Sequence, residues 1–302
     1  MPIGSHGLSA ARPPVTAQGV AAGPTVSQMP GGLGAACTGI DLSLPIAAPA
    51  RDAIIAAFQT HHVLAIRDQR LSKTNLSDFA AIFGEVEGNI FRKTDGSLLE
   101  AVHEITNFGA DGKPSAEPYL KSNFNWHTDK AYQAVPSLLT MLHAVELPPS
   151  GGDTQFADMT RAYDALPDDL KTEIAGLKVV HSFEHMRVST GDRPLTPAER
   201  EASPPVIHPL VRTHPDTGAR SLYIGMYCSH ILGMEAAASR ALLDRLLAHA
   251  TQPHFVYTHE WRPGDLVLWD NRCLVHRAVA NYELGRYRRV LMRVVVKGTV
   301  PV

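Results

Sequence analysis

The sequence predicts a mostly β protein with helical insertions, of the β-sandwich or jelly-roll kind. Three observations support this fold class. Short runs rich in aliphatic and β-branched residues recur along the chain, and helical spacing of apolar residues is confined to a few segments. The 302 residues, 44% of them hydrophobic, are also enough to bury one large core. Many short strands with helices near the ends are typical of a sandwich or a jelly roll.

Three segments have the apolar spacing of a helix. Two lie near the N-terminus, from Ala50 to His61 and from Ser72 to Phe83. In the third, between Glu235 and Ala250, leucines form one apolar stripe. We therefore expect three amphipathic helices that each cover part of a β structure.

The strand candidates are short apolar runs that lie between these helices. Runs of this length and composition favour strands over helices. The clearest are Val63 to Ile66, Leu138 to Leu142, Leu222 to Ile224 and Leu266 to Trp269.

A last strand, predicted from Arg288 to Val296, carries two arginines on one face. Alternation along the strand places Arg289 and Arg293 on the same side, together with Leu291. A guanidinium on a largely apolar strand is costly unless it meets an anion. Four residues of strand separate the two Cα atoms by about 13 Å. This spacing favours two anions, one at each arginine.

The segment from Asn125 to Asp129 contains the pair His127 and Asp129, and His276 follows much later in the chain. Residues i and i+2 of a strand project to the same side, so both side chains can reach one metal if this segment is extended. Two imidazoles and one carboxylate are the set that holds ferrous iron on one face and leaves the opposite positions open. These three residues are therefore candidate iron ligands.

The His-x-Asp pattern alone is weak evidence. With 15 histidines, about one or two matches are expected by accident at ordinary usage of charged residues. The second match, His214 to Asp216, runs into Thr217 and Gly218. Because proline fixes φ and glycine permits a reversal, we interpret this match as a structural turn between strands.

Several further motifs occur in a fixed order, and together they carry a resemblance. They are Asn-Trp-His-Thr-Asp at 125–129, Gly-Gly-Asp-Thr at 151–154, Asp-Met-Thr-Arg-Ala-Tyr at 158–163, His-Pro-Leu-Val at 208–211, His-Pro at 214–215, Leu-Tyr-Ile-Gly at 222–225, Gly-Asp at 264–265 and Trp-Asp-Asn-Arg at 269–272. On these motifs nearly the whole chain resembles the taurine dioxygenase family of iron(II)- and 2-oxoglutarate-dependent oxygenases, in particular its 2,4-dichlorophenoxyacetate dioxygenase branch.

The resemblance implies a fold and a cofactor set. The fold is a double-stranded β-helix, a jelly-roll or cupin-like architecture, with iron at its open end. The implied ligands of Fe(II) are His127, Asp129 and His276, with 2-oxoglutarate and O2 as co-substrates. Arg289 would clamp the distal carboxylate of 2-oxoglutarate, and the Thr154 hydroxyl would donate to the same group.

One departure from the family concerns the connection before Arg289. By the resemblance, the run from His276 to Arg289 is about two residues longer than in the related enzymes. We place the surplus in the turn 283–286. This makes Arg288 the alternative clamp if the longer connection shifts the register.

A further set of residues is assigned to the substrate. By the resemblance, Arg293 lies near the other carboxylate of 2-oxoglutarate and the acidic group of the substrate. Asn123 shares a face with His127 if the strand reaches that far, so it is a candidate substrate contact. Arg92 and Lys93 form either a solvated charge pair or further contacts to an anionic substrate.

The implied reaction is hydroxylation of a small organic anion. The sequence leaves open whether this anion is an aryloxyalkanoate, a sulfonate or another carboxylate. If the hydroxylated carbon bears an ether oxygen, the product collapses to a phenol and an aldehyde or keto acid. Two other classes remain as alternatives. A zinc hydrolase also uses two histidines and a carboxylate but does not need the paired arginines, and a non-catalytic cupin-like binding protein would share only the fold.

Composition limits the other partners. Lys+Arg 28 against Asp+Glu 30 gives a net charge of −2, so we expect no binding to nucleic acid or to an anionic membrane. No apolar stretch approaches the roughly 20 residues that span a bilayer. Three cysteines without paired spacing argue against a disulfide framework and favour a cytoplasmic enzyme. Whether the chain forms a homo-oligomer is left open.

The beginning of the chain differs in composition from the rest. Residues 1–30 are rich in Ala, Gly, Pro and Ser, and they lack the basic start and apolar run of a secretory signal. We expect them to form a flexible leader. Residues 31–302 are predicted to form a single Fe(II)/2-oxoglutarate dioxygenase domain.

Overall fold

The computed structural model describes residues 23–88, 100–109, 111–115 and 121–302. Within these ranges the strands are β1 (Thr25–Gln28), β2 (Ala35–Thr38), β3 (Val63–Ile66), β4 (His103–Thr106), β5 (Ser137–Glu146), β6 (Thr154–Asp158), β7 (Lys178–His181), β8 (Val206–Pro209), β9 (Val211–Thr213), β10 (Arg220–Leu222), β11 (Cys228–Ile231), β12 (Val256–His259), β13 (Leu266–Asp270), β14 (Leu274–Ala278) and β15 (Val290–Lys297).

The helices are mostly short. They are α1 (Ala48–His61), α2 (Lys73–Ala81), α3 (Met159–Asp164), α4 (Asp168–Ile174), α5 (Phe183–Ser189), α6 (Pro197–Ala202) and α7 (Ala236–Ala250), with 3-10 helices at Lys121–Phe124 and Pro253–Phe255. None of the helices in the described ranges has the length and apolar character needed to cross a membrane.

Two facing sheets form the jelly roll. The larger has seven strands in the order β1-β2-β3-β13-β5-β15-β4, and opposite it lies the three-stranded sheet β12-β6-β14. Trp269 and Leu291 of the larger sheet pack against Phe156 and Leu274 of the smaller one. This apolar layer fills the space between the two sheets, and Phe156 and Trp269 of the layer contact the ring of His276.

The outer face of the larger sheet is covered by α1 and α2. Phe58 and Phe79 of these helices share a core with Met292, Val294 and Val296 of β15. Because Leu291 belongs to the inner layer instead, the predicted alternation along this last strand is confirmed. A second set of helices, chiefly α3, α4 and α7, packs on the three-stranded sheet β11-β7-β8 and its neighbours.

The predicted helices and most predicted strands are confirmed within one to two residues at each end. Two strands differ, because β5 runs on to Glu146 instead of ending at Leu142 and β10 spans Arg220–Leu222 instead of Leu222 to Ile224. Gly225, at φ +156, turns the chain against Trp126, where a Cβ would lie 3.0 Å from the Trp126 carbonyl oxygen. The Met226 N–H then donates to that same carbonyl. The close approach therefore ends β10 early.

Two boundaries also differ from the predictions. The last strand begins at Val290, so Arg288 and Arg289 precede it. At the other end of the chain, β1 lies inside the segment predicted to be a flexible leader and pairs antiparallel with β2. The pairing residues of β1 are therefore part of the sheet, and for residues 1–22, which lie outside the described residues, the leader stays a prediction. The three cysteines, Cys37, Cys228 and Cys273, are all buried and free.

Candidate metal and co-substrate site

The three predicted iron ligands converge on one point, and we name them the metal cluster: His127, Asp129 and His276. Their ligand atoms all lie within 4.8 Å of one another. His276 Nε2 is 3.7 Å from Asp129 Oδ2, and the two imidazole rings are 4.1 Å apart between centroids. All three side chains are buried.

The backbone that presents His127 and Asp129 is not the continuous strand that the sequence suggested, whereas His276 does lie in a strand, β14. His127 and His276 form an isolated antiparallel bridge, joined by two backbone hydrogen bonds of 3.0 and 2.8 Å. The chain then enters a turn through Asp129 and Lys130, where Lys130 has φ +54. Asp129 therefore reaches the cluster from a turn. Asn123 lies in a 3-10 helix and is half-buried, so the strand argument that placed it on the His127 face is wrong.

The two histidines are suited to bind a metal as neutral imidazoles. His127 Nδ1 lies 2.8 Å from the Asn125 carbonyl oxygen. Because a carbonyl can only accept, Nδ1 carries the proton and Nε2 keeps a lone pair for a metal. Burial lowers the pKa of His127, and it lowers that of His276 well below the ordinary value. His276 Nδ1 is buried without a hydrogen-bond partner among the described residues.

Asp129 is held by a network of polar groups. Arg293 Nη2 lies 2.7 Å from Asp129 Oδ1, and the Thr140 hydroxyl donates to Oδ2 at 2.5 Å. Burial alone would raise the pKa of Asp129, but the Arg293 guanidinium and the two imidazoles hold it well below its ordinary value. Asn271 accepts from the Asp129 N–H and donates to the Thr140 hydroxyl. The carboxylate is therefore ionised and fixed in orientation.

Arg289 lies at a second position, deep between the sheets. Its side chain is buried, and its Nε donates to the Gly152 carbonyl at 3.0 Å. Gly152 has φ +75, and a Cβ there would lie 3.1 Å from Arg289 Cδ and Nε. The glycine is therefore required both by its backbone conformation and by the approach of the arginine. Arg288, in contrast, is exposed near Glu146, so Arg289 is the buried one of the two neighbouring arginines.

The side chain of Asn107 anchors the connection before Arg289 through hydrogen bonds. Asn107 is buried and donates from Nδ2 to the carbonyls of Leu284 and Tyr287, at 2.7 and 2.9 Å. Its Oδ1 accepts from the Arg289 N–H at 2.8 Å. Asn107 thus links the connection to the backbone of Arg289, and the placement of the surplus residues in the turn 283–286 stays a prediction. Sequence analysis did not identify Asn107 as a site residue, because its hydrogen-bond partners lie some 180 residues away in the chain.

Thr154 is the first residue of β6 and is buried beside Arg289. Its hydroxyl accepts a hydrogen bond of 3.1 Å from the indole N–H of Trp261. The Arg289 guanidinium lies 5.7 Å from the centre of the same indole ring. The structure therefore brings Thr154 and Arg289 together, as expected, around a tryptophan that the sequence analysis did not single out.

An aromatic cluster lies close to the charged groups of the site. It consists of Tyr132, Phe183 and Tyr227, with Tyr132 4.7 Å from Phe183 and 4.9 Å from Tyr227 between ring centroids. Burial raises the pKa of both tyrosines, and the charges of Asp129 and Arg293 also act on them. This aromatic cluster therefore lies within electrostatic range of the metal cluster.

A further cation beside the site was also missed. Lys130 is buried, and its ammonium lies 2.9 Å from the Glu87 carboxylate. Arg92 and Lys93, the basic residues that the sequence analysis assigned to the substrate, lie outside the described residues. Their roles stay predictions.

A second group of side chains could hold a metal by proximity alone, and we name it the Asp270 cluster: His62, His214, Asp270 and Cys273. The predicted turn after His214 is confirmed, since it joins β9 to β10. The His214 ring itself lies inside, with Nε2 3.0 Å from Asp270 Oδ2. Arg272 pairs with Asp270 at 2.7 Å and with Asp216 at 2.7 Å.

The chain is similar to proteins of known family. The model of the taurine catabolism dioxygenase TauD, TfdA family matches residues 25–295. An alpha-ketoglutarate-dependent 2,4-dichlorophenoxyacetate dioxygenase of Burkholderia sp. (strain RASC) is 41% identical over 244 residues, which cover 78% of this chain and 82% of that protein. An (S)-phenoxypropionate/alpha-ketoglutarate-dioxygenase of Sphingobium herbicidovorans is 37% identical over 237 residues, covering 74% and 78%.

A solved structure shows the same similarity in three dimensions. The crystal structure of AAD-2 in complex with Mn(II) and N-oxalylglycine superposes with a TM-score of 0.83 at 35% sequence identity. The match covers 92% of this chain and 98% of that one. The similarity therefore extends over the two facing sheets and the candidate site.

Proposed function

Because the chain belongs to the taurine catabolism dioxygenase TauD, TfdA family, we propose that it is an Fe(II)- and 2-oxoglutarate-dependent dioxygenase that hydroxylates a small aromatic organic acid of the aryloxyalkanoate class. One observation carries the proposal. Two neutral imidazoles and a carboxylate converge beside two arginines at separate positions, Arg289 buried and Arg293 partly buried. This arrangement offers a metal and two anions distinct places.

The donor set fits ferrous iron. Two histidines and one carboxylate on one face of the ion are the ligands of non-haem Fe(II) oxygenases and leave positions for co-substrates. His127 would bind through Nε2, since Nδ1 is held by Asn125. Asp129 and His276 would complete the set. When bound, Fe(II) supplies the activation of O2 that couples decarboxylation of 2-oxoglutarate to hydroxylation of a substrate carbon.

Residues around Gly152 would hold the co-substrate. We assign Arg289 to the distal carboxylate of 2-oxoglutarate, with the Thr154 hydroxyl as a second donor. A guanidinium offers parallel N–H donors that match a carboxylate, and Trp261 shields one side of this pair from water. A zinc hydrolase would not need such a buried carboxylate clamp.

Arg293 and the aromatic cluster would select the substrate. Arg293 is nearly buried and offers a cation beside Asp129, where the acidic group of a substrate can pair with it. The rings of Tyr132, Phe183 and Tyr227 are an apolar surface suited to an aryl group. Hydroxylation at the carbon that bears the ether oxygen would release a phenol and an aldehyde or keto acid. The free, buried cysteines fit the cytoplasmic location that we propose.

The test is a substrate panel for the purified protein reconstituted with Fe(II) under air. Aryloxyacetates, 2-aryloxypropionates, their methyl esters and taurine are each incubated with 2-oxoglutarate. We expect succinate and a phenol to form in equal amounts with the aryloxy acids, and a chelator to abolish both. The esters should react at least about tenfold more weakly, because an ester lacks the carboxylate that can take up the remaining N–H donors of Arg293 in a charge-assisted pair.

Other outcomes would redirect the proposal. Succinate formation with taurine alone would favour the sulfonate dioxygenase alternative. Equal turnover of an acid and its ester would mean that Arg293 does not select the substrate as an anion. If no acid stimulates succinate formation while 2-oxoglutarate still binds, the binding-protein alternative gains support.

A further inference from the structure

Trp261 contacts both halves of the candidate 2-oxoglutarate clamp. It follows β12 and lies between Thr154 and Arg289, half-buried against the core that separates the two sheets. Its indole N–H donates to the Thr154 hydroxyl, and its ring faces the Arg289 guanidinium. A single side chain therefore has the contacts to orient both groups.

The direction of the hydrogen bond decides what Thr154 can do. An indole nitrogen is only a donor, so the Thr154 oxygen must be the acceptor in this pair. A hydroxyl has one hydrogen of its own, and this hydrogen then points away from Trp261. A carboxylate can only accept. Trp261 thus leaves the Thr154 hydroxyl as a donor, which is the role that a carboxylate ligand requires.

The indole ring also limits the orientation of Arg289. Its guanidinium lies 5.7 Å from the ring centre while its Nε is held by the Gly152 carbonyl. A cation near the face of an aromatic ring is attracted to it. With Nε fixed on one side and the ring on another, the guanidinium has little freedom to rotate away from the clamp.

A buried polar relay keeps Trp261 itself in place. The His259 ring meets the indole edge to face at 4.7 Å. His259 Nε2 lies 3.1 Å from Asp265 Oδ2, and the Tyr257 hydroxyl lies 2.9 Å from His259 Nδ1. Arg67 pairs with the same Asp265 oxygen. The tryptophan is therefore packed against a side chain that is fixed at both ring nitrogens.

We propose that Trp261 is a positioning residue for the distal carboxylate of 2-oxoglutarate, acting by fixing the Thr154 hydroxyl as a donor and Arg289 in its rotamer. The inference rests on the proposed function, because it presumes that Thr154 and Arg289 bind this co-substrate. The inference adds Trp261 to the proposed co-substrate site, as an uncharged residue whose effect depends on Thr154.

The experiment is a double-mutant cycle on Trp261→Phe and Thr154→Val. Phenylalanine keeps an aromatic ring but removes the N–H donor. Binding of 2-oxoglutarate and N-oxalylglycine to Mn(II)-loaded protein is measured by calorimetry, and KM and kcat are measured for the Fe(II) enzyme. We expect Trp261→Phe to weaken both ligands and to raise the KM for 2-oxoglutarate by about three- to tenfold, the effect of one hydrogen bond. Metal affinity and kcat should change less than about twofold.

The cycle separates positioning from simple loss of packing. If Trp261 acts through the Thr154 hydroxyl, the Trp261→Phe change should have little further effect in the Thr154→Val background. A matched control is Thr258→Val, which removes a hydrogen bond from Gln155 on the same strand without touching Thr154 or the relay behind Trp261. It should leave 2-oxoglutarate binding unchanged.

Failure of this inference differs from failure of the proposed function. Additive effects of the two substitutions, or unchanged affinity of Trp261→Phe for both ligands, would overturn the positioning role while the parent protein still bound 2-oxoglutarate. If the parent protein binds neither 2-oxoglutarate nor N-oxalylglycine in the presence of metal, the proposed function itself is wrong.

Discussion

Two buried clusters in this molecule contain the same kinds of side chain, yet only one is arranged to bind a metal. The metal cluster has two histidines and an aspartate, and the Asp270 cluster has two histidines, an aspartate and a cysteine. Each aspartate pairs with an arginine, and neighbouring charges hold the pKa of each below its ordinary value despite burial. Residue type, burial and charge therefore do not separate the two clusters.

The difference lies in which donor atoms are already used. Asp270 accepts hydrogen bonds from the Arg272 N–H, from two guanidinium nitrogens of Arg272 and from His214. These fill the roughly four acceptor positions of a carboxylate. His214 Nδ1 accepts from the backbone N–H groups of Asp216 and Thr217, so the proton is on Nε2 and points at Asp270. Asp270 and His214 therefore form a closed hydrogen-bond pair, and among the described residues of this cluster the unpartnered buried nitrogen is Nδ1 of His62.

In the metal cluster, each ligand has lone pairs that are not used in hydrogen bonds within the described part of the chain. Asp129 has one oxygen on Arg293 and the other on Thr140, which leaves further acceptor positions on both. His127 Nε2 and the His276 ring make no hydrogen bond with other described residues. A metal can take up these lone pairs without breaking existing bonds. The comparison teaches that a metal site is identified where the carboxylate and both imidazoles keep lone pairs free of hydrogen bonds.

The largest expected effect comes from removing one imidazole from each cluster in turn. His276→Ala should lower Fe(II) affinity by more than about a hundredfold, since even partners that only orient a metal ligand cost about ten- to a hundredfold. Succinate formation should be lost. His214→Ala removes an equally buried imidazole from the Asp270 cluster and should keep Fe(II) binding, while lowering the free energy of unfolding by about 1–3 kcal/mol.

Anaerobic calorimetry with Fe(II) and urea denaturation measure the two quantities side by side. Tight Fe(II) binding by His276→Ala, or loss of Fe(II) binding by a folded His214→Ala protein, would reverse the assignment of the two clusters.

The sequence predicted the ligands of the metal cluster better than the structure around them. His127, Asp129 and His276 were identified from residue type and from the resemblance, and they converge as expected. Their geometry was not predicted, because Asp129 reaches the site through a turn whose shape depends on the left-handed Lys130. Strand alternation did predict the inner face of Leu291, and Arg289 and Arg293 lie at separate positions as expected, although Arg289 precedes the last strand.

The supporting residues could not be predicted for a different reason. Thr140 lies beside Asp129 only because β5 pairs with β13 in the register that sets Thr140 opposite Trp269. Asn271 and Trp261 likewise depend on pairings between distant strands. A single sequence does not specify such register, so Thr140 and Trp261 were not singled out and Asn271 appeared only as part of a family motif. The Asp270 cluster shows the converse, since its His-Pro-Asp match was correctly interpreted as structural while its buried network was not foreseen.

The Asp270 cluster is also expected to depend on the negative charge of Asp270. Asp270→Asn leaves the buried Arg272 without its main partner, so the free energy of unfolding should fall by about 3–5 kcal/mol. The matched control is Asp216→Asn, which removes the more exposed partner of the same arginine and should cost less than about 1 kcal/mol. Urea denaturation followed by circular dichroism measures both. Equal losses would mean that Asp270 is not the centre of the network.

The smallest expected effect concerns a single hydroxyl beside the metal cluster. Thr140→Val keeps the side-chain shape but removes the donor to Asp129 Oδ2 and the acceptor for Asn271. Because outer partners orient a ligand carboxylate, Fe(II) affinity should fall by about tenfold. Thr128→Val is the matched control. It is equally buried and lies between two of the ligands, but its hydroxyl donates to the Leu274 carbonyl. Its Fe(II) affinity should change by less than about twofold, and equal losses in both variants would show that packing around the cluster, and not orientation of Asp129, sets the affinity.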